Sequence, residues 1–574
     1  MTSTTSNSAL SINVGITGHR DIPNVHKHVL EEAVIKELKR MRTKYPNTTI
    51  NVLCGLAEGA DQIIASAALA NNFNVMAVLP FVQSIYEQDF ETPQAISKFR
   101  ALLAQCSDVL ICNTEKNENR NEGYIELGRT LVRCCDIVFA VWDGVTVQCK
   151  ETGNNTPLPG GTADVVHMCV DGIMDDNSLL FSKPNQTYCK WLVMSQSKHT
   201  ELPESIVSSN EIGKWKKLPI KGNQDESILK DILGKIEKFN LDSKTIGEKD
   251  KAKSISYLLG SVSEKENVKD LEKLINVYSL ADCLAQARQQ QRLTSLRFIT
   301  LLSLIAIAAQ QIYAGVYSTL GWFATHIVLI SVIVGIYRLF FAGGDSKEAQ
   351  FVEWRVFAEN LRVQIFWHIA GLPDNCANNF RTTKLNEMDW IVDNLNKLSF
   401  NLNKPKKSNI EFVKTRWIAD QSAYFNGTRN KTGRAADLLM KAKQYKVFSI
   451  FFFVSALILM IFSAFKIQFQ LIPFISDDAL FFIIAMLFIS SALVKTFSIQ
   501  MGFEELSHRY TRTGYFFQQA LKRTHKIENQ CSPGSREHIE KCQGVIKTIG
   551  IEALSENAAW LQLYKMNAYQ VQIN

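Results

Sequence analysis

The stretch INVGITGHRD, Ile12–Asp21, decides the fold prediction. Its first six residues, Ile12–Thr17, predict a short apolar strand of the kind that is buried in a parallel sheet. The residues TGHRD follow as a turn, and a long helical pattern, NVHKHVLEEAVIKELKRMRTKY, begins at Asn24. A strand, a glycine-containing turn and a helix in this order predict the start of an α/β domain.

The same alternation of strand and helix continues to Gly144. Further strands are predicted at INVLCGL (50–56), NVMAVLPF (74–81), SDVLICN (107–113) and DIVFAVWDG (136–144). Helical patterns separate them at 59–72, 93–106 and 123–135. The predicted fold is therefore α/β, a Rossmann-like doubly wound parallel sheet with helices on both faces. YCKWLVM, 188–194, is predicted as an edge strand.

Glycine-rich or polar loops follow several of these strands. They are Thr17–Asp21, Gly55–Asp61, Asp143–Gly144 and Pro159–Val166, the last of which opens a helix. Parallel strands end at one edge of the sheet, where ligands bind. Glycines let the backbone approach an anion, and a helix start offers free N–H groups. Together these loops predict a phosphate or nucleotide pocket.

Each loop alone has an ordinary alternative. PGGT is a common turn, and His19 by itself is typical of a packed or surface histidine. Thr17, Asp21, Glu58 and Asp61 are all residue types that cap helices. Only their combined position at the ends of several strands favours a ligand pocket.

Composition excludes several classes of function. The formal net charge of +7 over 574 residues is small, so no nucleic-acid partner is expected. The twelve cysteines include no CxxC pair, so no metal site is expected and the soluble part is predicted to lie in a reducing cytosol. Residues 1–11 resemble no signal peptide and are predicted to be a disordered tail.

The C-terminal half contains apolar runs long enough to cross a bilayer. Phe298–Tyr337 has no charged residue and predicts two helices joined near GVYSTLG; Val447–Phe465 and Leu480–Phe497 predict a second pair. We therefore expect an all-α membrane region with four transmembrane helices. The flanks of both pairs carry the basic residues Arg288, Arg292, Arg297, Arg338, Lys347, Lys441, Lys443, Lys446 and Lys495. The positive-inside rule then predicts a multi-pass protein of the cell inner membrane with both termini in the cytoplasm.

The membrane half is also predicted to contain an internal repeat. LADCLAQARQQQ precedes the first pair and IADQSAYFNGTRN precedes the second, while FVEWRVFAENLRVQIFWHIAGL and FEELSHRYTRTGYFFQQAL follow them. Polar residues in the spans, such as Gln310, Ser303 and Ser491, fit helix-to-helix hydrogen bonds better than a pore lining. Glu353, Arg355, Glu359 and Arg362 have helical spacing and predict ion pairs within one helix.

The N-terminal motifs resemble those of the SLOG superfamily. The resemblance covers residue 12 to about residue 200 and rests on VGITGHRDI, LAEGADQIIASAAL, AVLPF with YEQDF, GRTLVRCCDIVFAVWDG and GGTADVV. This superfamily includes the LOG (lysine-decarboxylase-like) proteins, the DprA-type proteins and the N-terminal sensor of TRPM channels. The resemblance implies a nucleotide or ADP-ribose-like ligand and no certain cofactor.

We predict the ligand-binding residues from these loops and this resemblance. Arg20 would neutralise a phosphate, glycines would expose N–H groups, and carboxylates would accept hydrogen bonds from ribose hydroxyls. The predicted residues are Thr17, Gly18, His19, Arg20, Glu58, Gly59, Asp143, Gly160, Gly161, Thr162 and Asp164.

One departure from the resemblance bears on catalysis. Enzymatic LOG members carry PGGxGTxxE, and aligning that motif on Gly161 and Thr162 places Val165 at the catalytic glutamate. Valine cannot act as an acid or base. No catalytic residue is therefore predicted. The alternatives left open are a membrane-anchored nucleotide-cleaving enzyme, with Asp164 as a displaced acid, and a structural membrane scaffold.

The layout of the membrane half is similar to that of the SLATT family, here in tandem. That resemblance implies a membrane-perturbing or channel-forming effector that responds to a nucleotide signal, in bacterial anti-phage defence. It further implies a homo-oligomer and a signal-synthesising enzyme encoded nearby. The predicted domains are the tail 1–11, the SLOG-like sensor 12–245, a linker with the first two-span unit 246–373, and the second unit 374–574.

Overall fold

A computed structural model describes residues 8–113, 120–145, 157–173, 187–196, 211–218, 225–260, 270–315, 321–336, 344–379, 389–400, 402, 408–469 and 477–573. The chain forms two compact units. Unit 1 comprises Met1–Ala252, Asn267–Leu280 and Asn375–Lys404, and unit 2 comprises Lys253–Glu266, Ala281–Asp374 and Pro405–Asn574.

Unit 1 contains a mostly parallel sheet. Its strands are β1 Ser11–Gly18, β2 Thr49–Cys54, β3 Asn74–Phe81, β4 Asp108–Asn113, β5 Ile137–Trp142, β6 Tyr188–Val193 and β7 Trp215–Lys216. They lie in the order β4-β3-β2-β1-β5-β6-β7, and among the described strands of this sheet only β6 and β7 pair antiparallel. The predicted α/β class with a parallel sheet is confirmed. The predicted edge position of 188–194 is wrong, because β7 covers β6.

Helices make up most of the remaining described chain. The first nine helices among the described residues are α1 Lys27–Lys44, α2 Ala60–Ala70, α3 Gln83–Tyr86, α4 Pro93–Leu103, α5 Arg120–Cys134, α6 Thr162–Asp171, α7 Glu226–Ser243, α8 Glu248–Leu259 and α9 Glu272–Gly315. The next nine, within the same described ranges, are α10 Gly321–Ile336, α11 Gly344–Ile369, α12 Asp389–Phe400, α13 Ile410–Val413, α14 Asp420–Asn426, α15 Arg434–Phe469, α16 Asp477–Gln500, α17 Phe503–Gln530 and α18 Arg536–Ile573. A π-helical turn, Lys414–Ala419, joins α13 to α14, and a small hairpin of β8 Gly427–Thr428 and β9 Lys431–Thr432 follows α14.

Both faces of the sheet are buried at its centre, as a parallel sheet with helical crossovers requires, whereas Val109 and Ile111 of the edge strand β4 are exposed. Every residue of β5 is buried, and alternate residues face opposite sides. On one side Val138 and Trp142 join a core with residues of α5 and α6, including Val165. On the other side Phe139 lies 4.8 Å from the ring of Trp215 in β7. Burial on both sides explains why the strands have apolar rather than alternating sequences.

The first residues of the described chain belong to the folded unit. Leu10, which the sequence placed in the disordered tail, is 2% exposed, and its N–H donates to Asn240 Oδ1 at 2.9 Å. β1 begins at the next residue, Ser11. Residues 1–7 of the predicted tail lie outside the described residues.

The described part of unit 2 and of α9 contains three helical stretches long and apolar enough to cross a membrane, Glu272–Gln310, Arg434–Ser463 and Ala479–Gln530. The expectation of four is therefore wrong for the described residues. Of the four predicted spans, α10 is too short: it has 16 residues and a length of about 24 Å, less than the roughly 30 Å of a bilayer core. The uncharged run from 298 to 337 predicted two full spans, but α10, the helix in its second half, is shorter than a span requires.

Hydroxyl groups in the spans bond to helix backbones. Thr300 and Ser303 donate to carbonyls one turn earlier in α9, at 2.9 Å each. Ser449 of α15 and Ser491 of α16 donate to each other's carbonyl oxygens at 3.1 and 2.8 Å. For Ser303 and Ser491 the hydroxyl is thus satisfied inside the protein, within one helix and between two helices respectively.

The two predicted repeat units make similar contacts. In the first, Asp282 of α9 accepts from Arg355 of α11 at 3.1 Å. In the second, Asn426 of α14 donates to the carbonyl of Gly514 in α17 at 2.8 Å. In each case the helix before the hairpin contacts the helix after it.

The ion pairs expected along α11 are present. Glu359 lies 2.6 Å from Arg355 and 2.9 Å from Arg362. The prediction of pairing within one helix is confirmed for these residues, and Arg355 has in addition the contact with Asp282 that sequence spacing does not reveal.

Candidate functional site

The predicted site lies where the strand order reverses. β1 lies between β2 and β5, so the chain runs outward through β2, β3 and β4 on one side and through β5 and β6 on the other. The carboxyl ends of β1 and β5 are adjacent, because Gly18 pairs in register with Val141 and the N–H of His19 donates to the Val141 carbonyl at 3.2 Å. Ligands of open α/β sheets bind at this reversal point.

His19 and Asp143, which follow β1 and β5, contact each other. His19 Nε2 accepts from the Asp143 N–H at 3.0 Å and lies 3.2 Å from Asp143 Oδ1. Gln196 donates to Oδ2 at 2.9 Å, and the Val145 N–H donates to Oδ1 at 3.0 Å. Burial alone would raise the pKa of Asp143, but the contact with His19 and the hydrogen bonds from the Val145 N–H and Gln196 outweigh it and lower the pKa. Both oxygens of the Asp143 carboxylate already have protein partners. The contact between His19 and Asp143 therefore joins the ends of β1 and β5.

The loop Gly55–Gly59 between β2 and α2 passes very close to the β1 loop. Gly59 has φ of 83°, and a Cβ at this position would lie 2.2 Å from the carbonyl oxygen of Arg20 and 2.4 Å from that of His19. Leu56 is buried with φ of 54°, a left-handed conformation that costs about 1–2 kcal/mol for a residue other than glycine. Only glycine at 59 permits this approach, so the two loops form one continuous backbone surface.

Asp61 holds the same loop from inside. Its Oδ2 accepts from the Gly55 N–H at 3.0 Å, while the hydroxyl of Tyr86 donates to the Gly55 carbonyl at 3.0 Å. Burial raises the pKa of Asp61 to about 7, although hydrogen bonds from the backbone of Ala57 and Gly55 oppose the rise. The residue before the first turn of α2 is Gly59, which makes no side-chain cap. Asp61 is therefore a support for the loop rather than a helix cap.

Glu58 carries an unsatisfied buried atom. Its Oε1 is buried and has no hydrogen-bond partner among the described residues. A buried acceptor without a donor costs about 1–3 kcal/mol, and more when charged. Glu58 precedes Gly59, which contacts the backbone of Arg20. A hydroxyl group of a ligand held beside Arg20 would supply the missing donor.

Arg20 is exposed and reaches across to α5. Its Nη2 donates to the hydroxyl of Tyr124 at 3.0 Å, and its guanidinium lies 5.3 Å from the centre of that ring. The Tyr124 hydroxyl donates to Asp89 at 2.7 Å, and the other oxygen of Asp89 lies 2.5 Å from Arg120. Burial and the hydrogen bond to Asp89 raise the pKa of Tyr124 to about 12, so the hydroxyl stays protonated. This network holds two guanidinium groups beside one phenol and one carboxylate.

The glycine turn before α6 packs against the same tyrosine. Gly160 has φ of 71°, and a Cβ there would lie 2.4 Å from Tyr124 Cβ and 2.8 Å from its backbone carbonyl carbon. The N–H of Gly160 donates to Asp164 Oδ2 at 2.7 Å. α6 starts at Thr162 with Gly161 before it and no side-chain cap, so its first N–H groups have no partner within the helix.

Asp164 and Val165 face different environments. Val165 is 1% exposed and lies in the core against α5, where a Cβ on Gly128 would be 3.0 Å from its side chain. Asp164 is the carboxylate at the glycine turn, and burial raises its pKa. The residue that the family alignment puts at the catalytic position thus packs in the core, and the neighbouring acid holds the backbone of Gly160.

The structure brings part of the predicted set together. Arg20 and Gly160 both contact Tyr124, and Gly59, with Glu58 next to it, lies against the backbone of Arg20. His19 and Asp143 form the adjacent pair. Thr17 is buried within β1, and a Cβ on Gly18 would lie 2.6 Å from Ala60, so these two residues pack the loop base. The described contacts of Gly161 and Thr162 stay within the turn and helix that they begin.

Sequence reasoning missed four residues of this region: Asp89, Arg120, Tyr124 and Gln196. Tyr124 lies inside GYIELGRTLVRCC, which predicts only a helix, and Asp89 lies inside YEQDF, which entered only as a family motif. Their closeness to Arg20 comes from the packing of α5 against the sheet, for which the local sequence has no signal.

No family model and no curated protein matches this sequence. Evidence for function therefore comes from the geometry of the strand-end loops and from three described helices long and apolar enough to cross a membrane.

The raised pKa of Asp61 predicts a pH dependence of stability. Between the ordinary value of 3.8 and the folded value of about 7, the folded state binds more protons than the unfolded state. The stability contributed by the protonated carboxyl is complete below pH 3.8 and is lost as the pH rises through 7. We expect the thermal midpoint of the full-length protein in detergent to fall from pH 5 to pH 8, and Asp61→Asn to fall less steeply. Identical slopes for the two proteins would contradict this assignment.

Proposed function

We propose that this protein is a cytosolic sensor of a nucleotide-derived signal, coupled to a membrane-perturbing or channel-forming effector. The observation that carries the proposal lies at the reversal point of a mostly parallel sheet, where Arg20 and Gly160 both contact Tyr124 and Gly59 lies against the backbone of Arg20, in a chain with three apolar helices of membrane-spanning length. The SLOG and SLATT resemblances point to the same combination.

The chemistry of the site favours a phosphorylated nucleoside. Arg20 is exposed and uses one N–H toward Tyr124, so its other donors are available to a phosphate. The start of α6 adds free N–H groups and the positive end of the helix dipole. The unsatisfied oxygen of Glu58 suits a ribose hydroxyl. ADP-ribose-like molecules and cyclic nucleotides provide both kinds of group.

The membrane half supports an effector rather than a simple anchor. In each of two hairpin-like units the helix before the hairpin contacts the helix after it, and serine hydroxyls link the two helices of the second hairpin. Tethering alone does not require these contacts. We propose that several copies assemble in the inner membrane of a bacterium, and that a neighbouring enzyme makes the signal during anti-phage defence. For both termini to lie in the cytoplasm, the chain between α9 and α11 must return to the cytoplasmic face of the membrane.

The alternative of a nucleotide-cleaving enzyme has one observation in its favour. Asp164 is a carboxylate with a raised pKa at the glycine turn. However, its Oδ2 accepts the Gly160 N–H, and Val165 is buried in the core. The same samples used for binding would reveal cleavage as free base or ribose phosphate in a chromatogram.

A thermal-shift panel tests the sensor directly. We expect ADP-ribose or one of the cyclic mononucleotides to raise the thermal midpoint of the full-length protein in detergent. At a concentration 100 times the dissociation constant, the stabilisation is about 2.7 kcal/mol. Adenosine, which lacks phosphate, is the matched control and should have no effect. A panel in which no phosphorylated nucleotide exceeds adenosine would count against the proposal.

A further inference from the structure

Helix α12 is part of unit 1, although the chain on both sides of it belongs to unit 2. Residues 375–404 lie in unit 1, between 281–374 and 405–574 of unit 2. Trp390, Ile391, Leu395 and Leu398 of α12 are between 0 and 5% exposed. In sequence, α12 follows α11 and precedes α13 and α14, which lead into α15. It is therefore a segment of the membrane half that is built into the sensor.

A buried ion pair attaches α12 to the sheet. Lys397 Nζ lies 2.9 Å from Asp136 Oδ1 and 3.0 Å from Oδ2, and the two side chains are 6% and 0% exposed. Lys397 also donates to the carbonyl of Ser11 at 3.0 Å. Asp136 in turn accepts from the N–H of Asn13 at 2.8 Å. One ammonium group thus contacts the first residue of β1 and the residue just before β5.

Such a pair specifies position more than it adds stability. Replacing a buried ion pair by apolar side chains of similar size is often neutral, whereas removing one partner leaves an uncompensated charge. Asn396 of α12 also accepts from Asn375 at 2.9 Å, and the apolar contacts of the helix tolerate small shifts. The ammonium group must lie between Ser11 and Asp136, so α12 has one defined place relative to these two strands.

β1 and β5 are also the strands that end at the candidate site. They pair in parallel from Val14 with Ile137 to Gly18 with Val141, and their carboxyl ends carry His19 and Asp143. α12 lies at their amino ends. A ligand that moves β1 relative to β5 at one end therefore changes the geometry that Lys397 bridges at the other end.

We infer that the Lys397–Asp136 contact is the coupling element by which the state of the β1–β5 pair reaches α12 and, through the chain, both membrane hairpins. This inference rests on the proposed function, because it concerns how that sensor acts on that effector. A second connection, α9, has Leu274, Val277 and Tyr278 buried and continues as one 44-residue helix from unit 1 into the first span. α12 differs from α9 because its Lys397 ammonium group contacts residues at the start of both β1 and β5.

The test uses full-length protein in liposomes and separates binding from coupling. The variant is Asp136→Asn with Lys397→Met, because the single Lys397→Met leaves a buried charge and risks unfolding. Lys397→Arg, which keeps a cation, is the conservative variant. Lys230→Met, which removes an exposed pair with Glu226 in α7, is the matched control. ADP-ribose is the probe, with the thermal shift as the binding readout and dye release as the coupling readout.

We expect the double variant to keep the wild-type thermal shift with ADP-ribose and to lose dye release by roughly 5- to 150-fold, the usual range of coupling between two sites. Lys230→Met should behave as wild type, and Lys397→Arg should recover much of the release. Dye release equal to wild type in the double variant would overturn the inference while leaving the sensor intact. If ADP-ribose neither binds nor releases dye in wild type, the proposed function fails for this ligand. In that case the coupling is judged from dye release without ligand. We expect this release to change several-fold in the double variant, and an unchanged release would overturn the inference.

Discussion

Gly160→Val is expected to weaken the response to nucleotide strongly. The residue has φ of 71°, and the first added carbon would lie 2.4 Å from Tyr124 Cβ and 3.0 Å from the backbone nitrogen of Ile125. Backbone of α5 cannot yield as a flexible side chain can, so the turn before α6 must move away from Tyr124. Loss of one charge-assisted hydrogen bond costs about 1.5–3 kcal/mol, or a roughly 10- to 150-fold weaker dissociation constant. Isothermal titration of the full-length protein in detergent measures the change.

A matched glycine shows whether the effect is local. Gly234 lies in α7, and a Cβ there would meet nothing within 4 Å. Gly234→Ala should therefore bind nucleotide as wild type does. Far-ultraviolet circular dichroism of Gly160→Val must retain the helical signal for the comparison to be valid. A folded Gly160→Val protein with wild-type affinity would show that the glycine turn takes no part in binding.

Lys397→Met is expected to destabilise unit 1 by about 3–5 kcal/mol, because it leaves the carboxylate of Asp136 buried without a cation. Methionine fills nearly the same volume, so little of the loss comes from packing. Amide hydrogen exchange at β1 and β5 in the full-length protein measures this locally, since both strands contact the pair.

A double-mutant cycle separates the charge from the contact. Adding Asp136→Asn to Lys397→Met removes the uncompensated charge but keeps an oxygen that can accept the Asn13 N–H. We expect the double variant to recover most of the lost stability, so that its free energy of unfolding falls by less than that of Lys397→Met alone and by much less than the sum of the two single losses. Strictly additive effects would mean that the two side chains do not interact in solution.

The main elements of the sheet follow from local sequence, because strands buried on both faces need apolar runs of a recognisable kind. β1 and β5 were predicted for this reason and are present. β7 was not predicted: Trp215–Lys216 is too short to carry a pattern, and without it β6 was assigned to the edge. The number of spans was overestimated because an uncharged run measures composition, whereas a span needs helix length.

The candidate site could be predicted only in its backbone. Glycines at 59 and 160 mark positions where positive φ and close approach are needed, and the sequence shows them directly. Tyr124 supports both Arg20 and Gly160 but lies on a helix that has no motif pointing to the site. Lys397 and Asp136 are 261 positions apart, and no local pattern relates them. Such contacts are set by tertiary packing alone.

The most direct test of the central claim is release of a trapped dye from liposomes that contain the full-length protein. The nucleotide is the member of the thermal-shift panel that stabilises the protein most, with adenosine as the control. We expect release to rise with nucleotide over the same concentration range as the thermal shift, and Gly160→Val to release no dye over that range. Release that is unaffected by nucleotide, or equal in wild type and Gly160→Val, would contradict it.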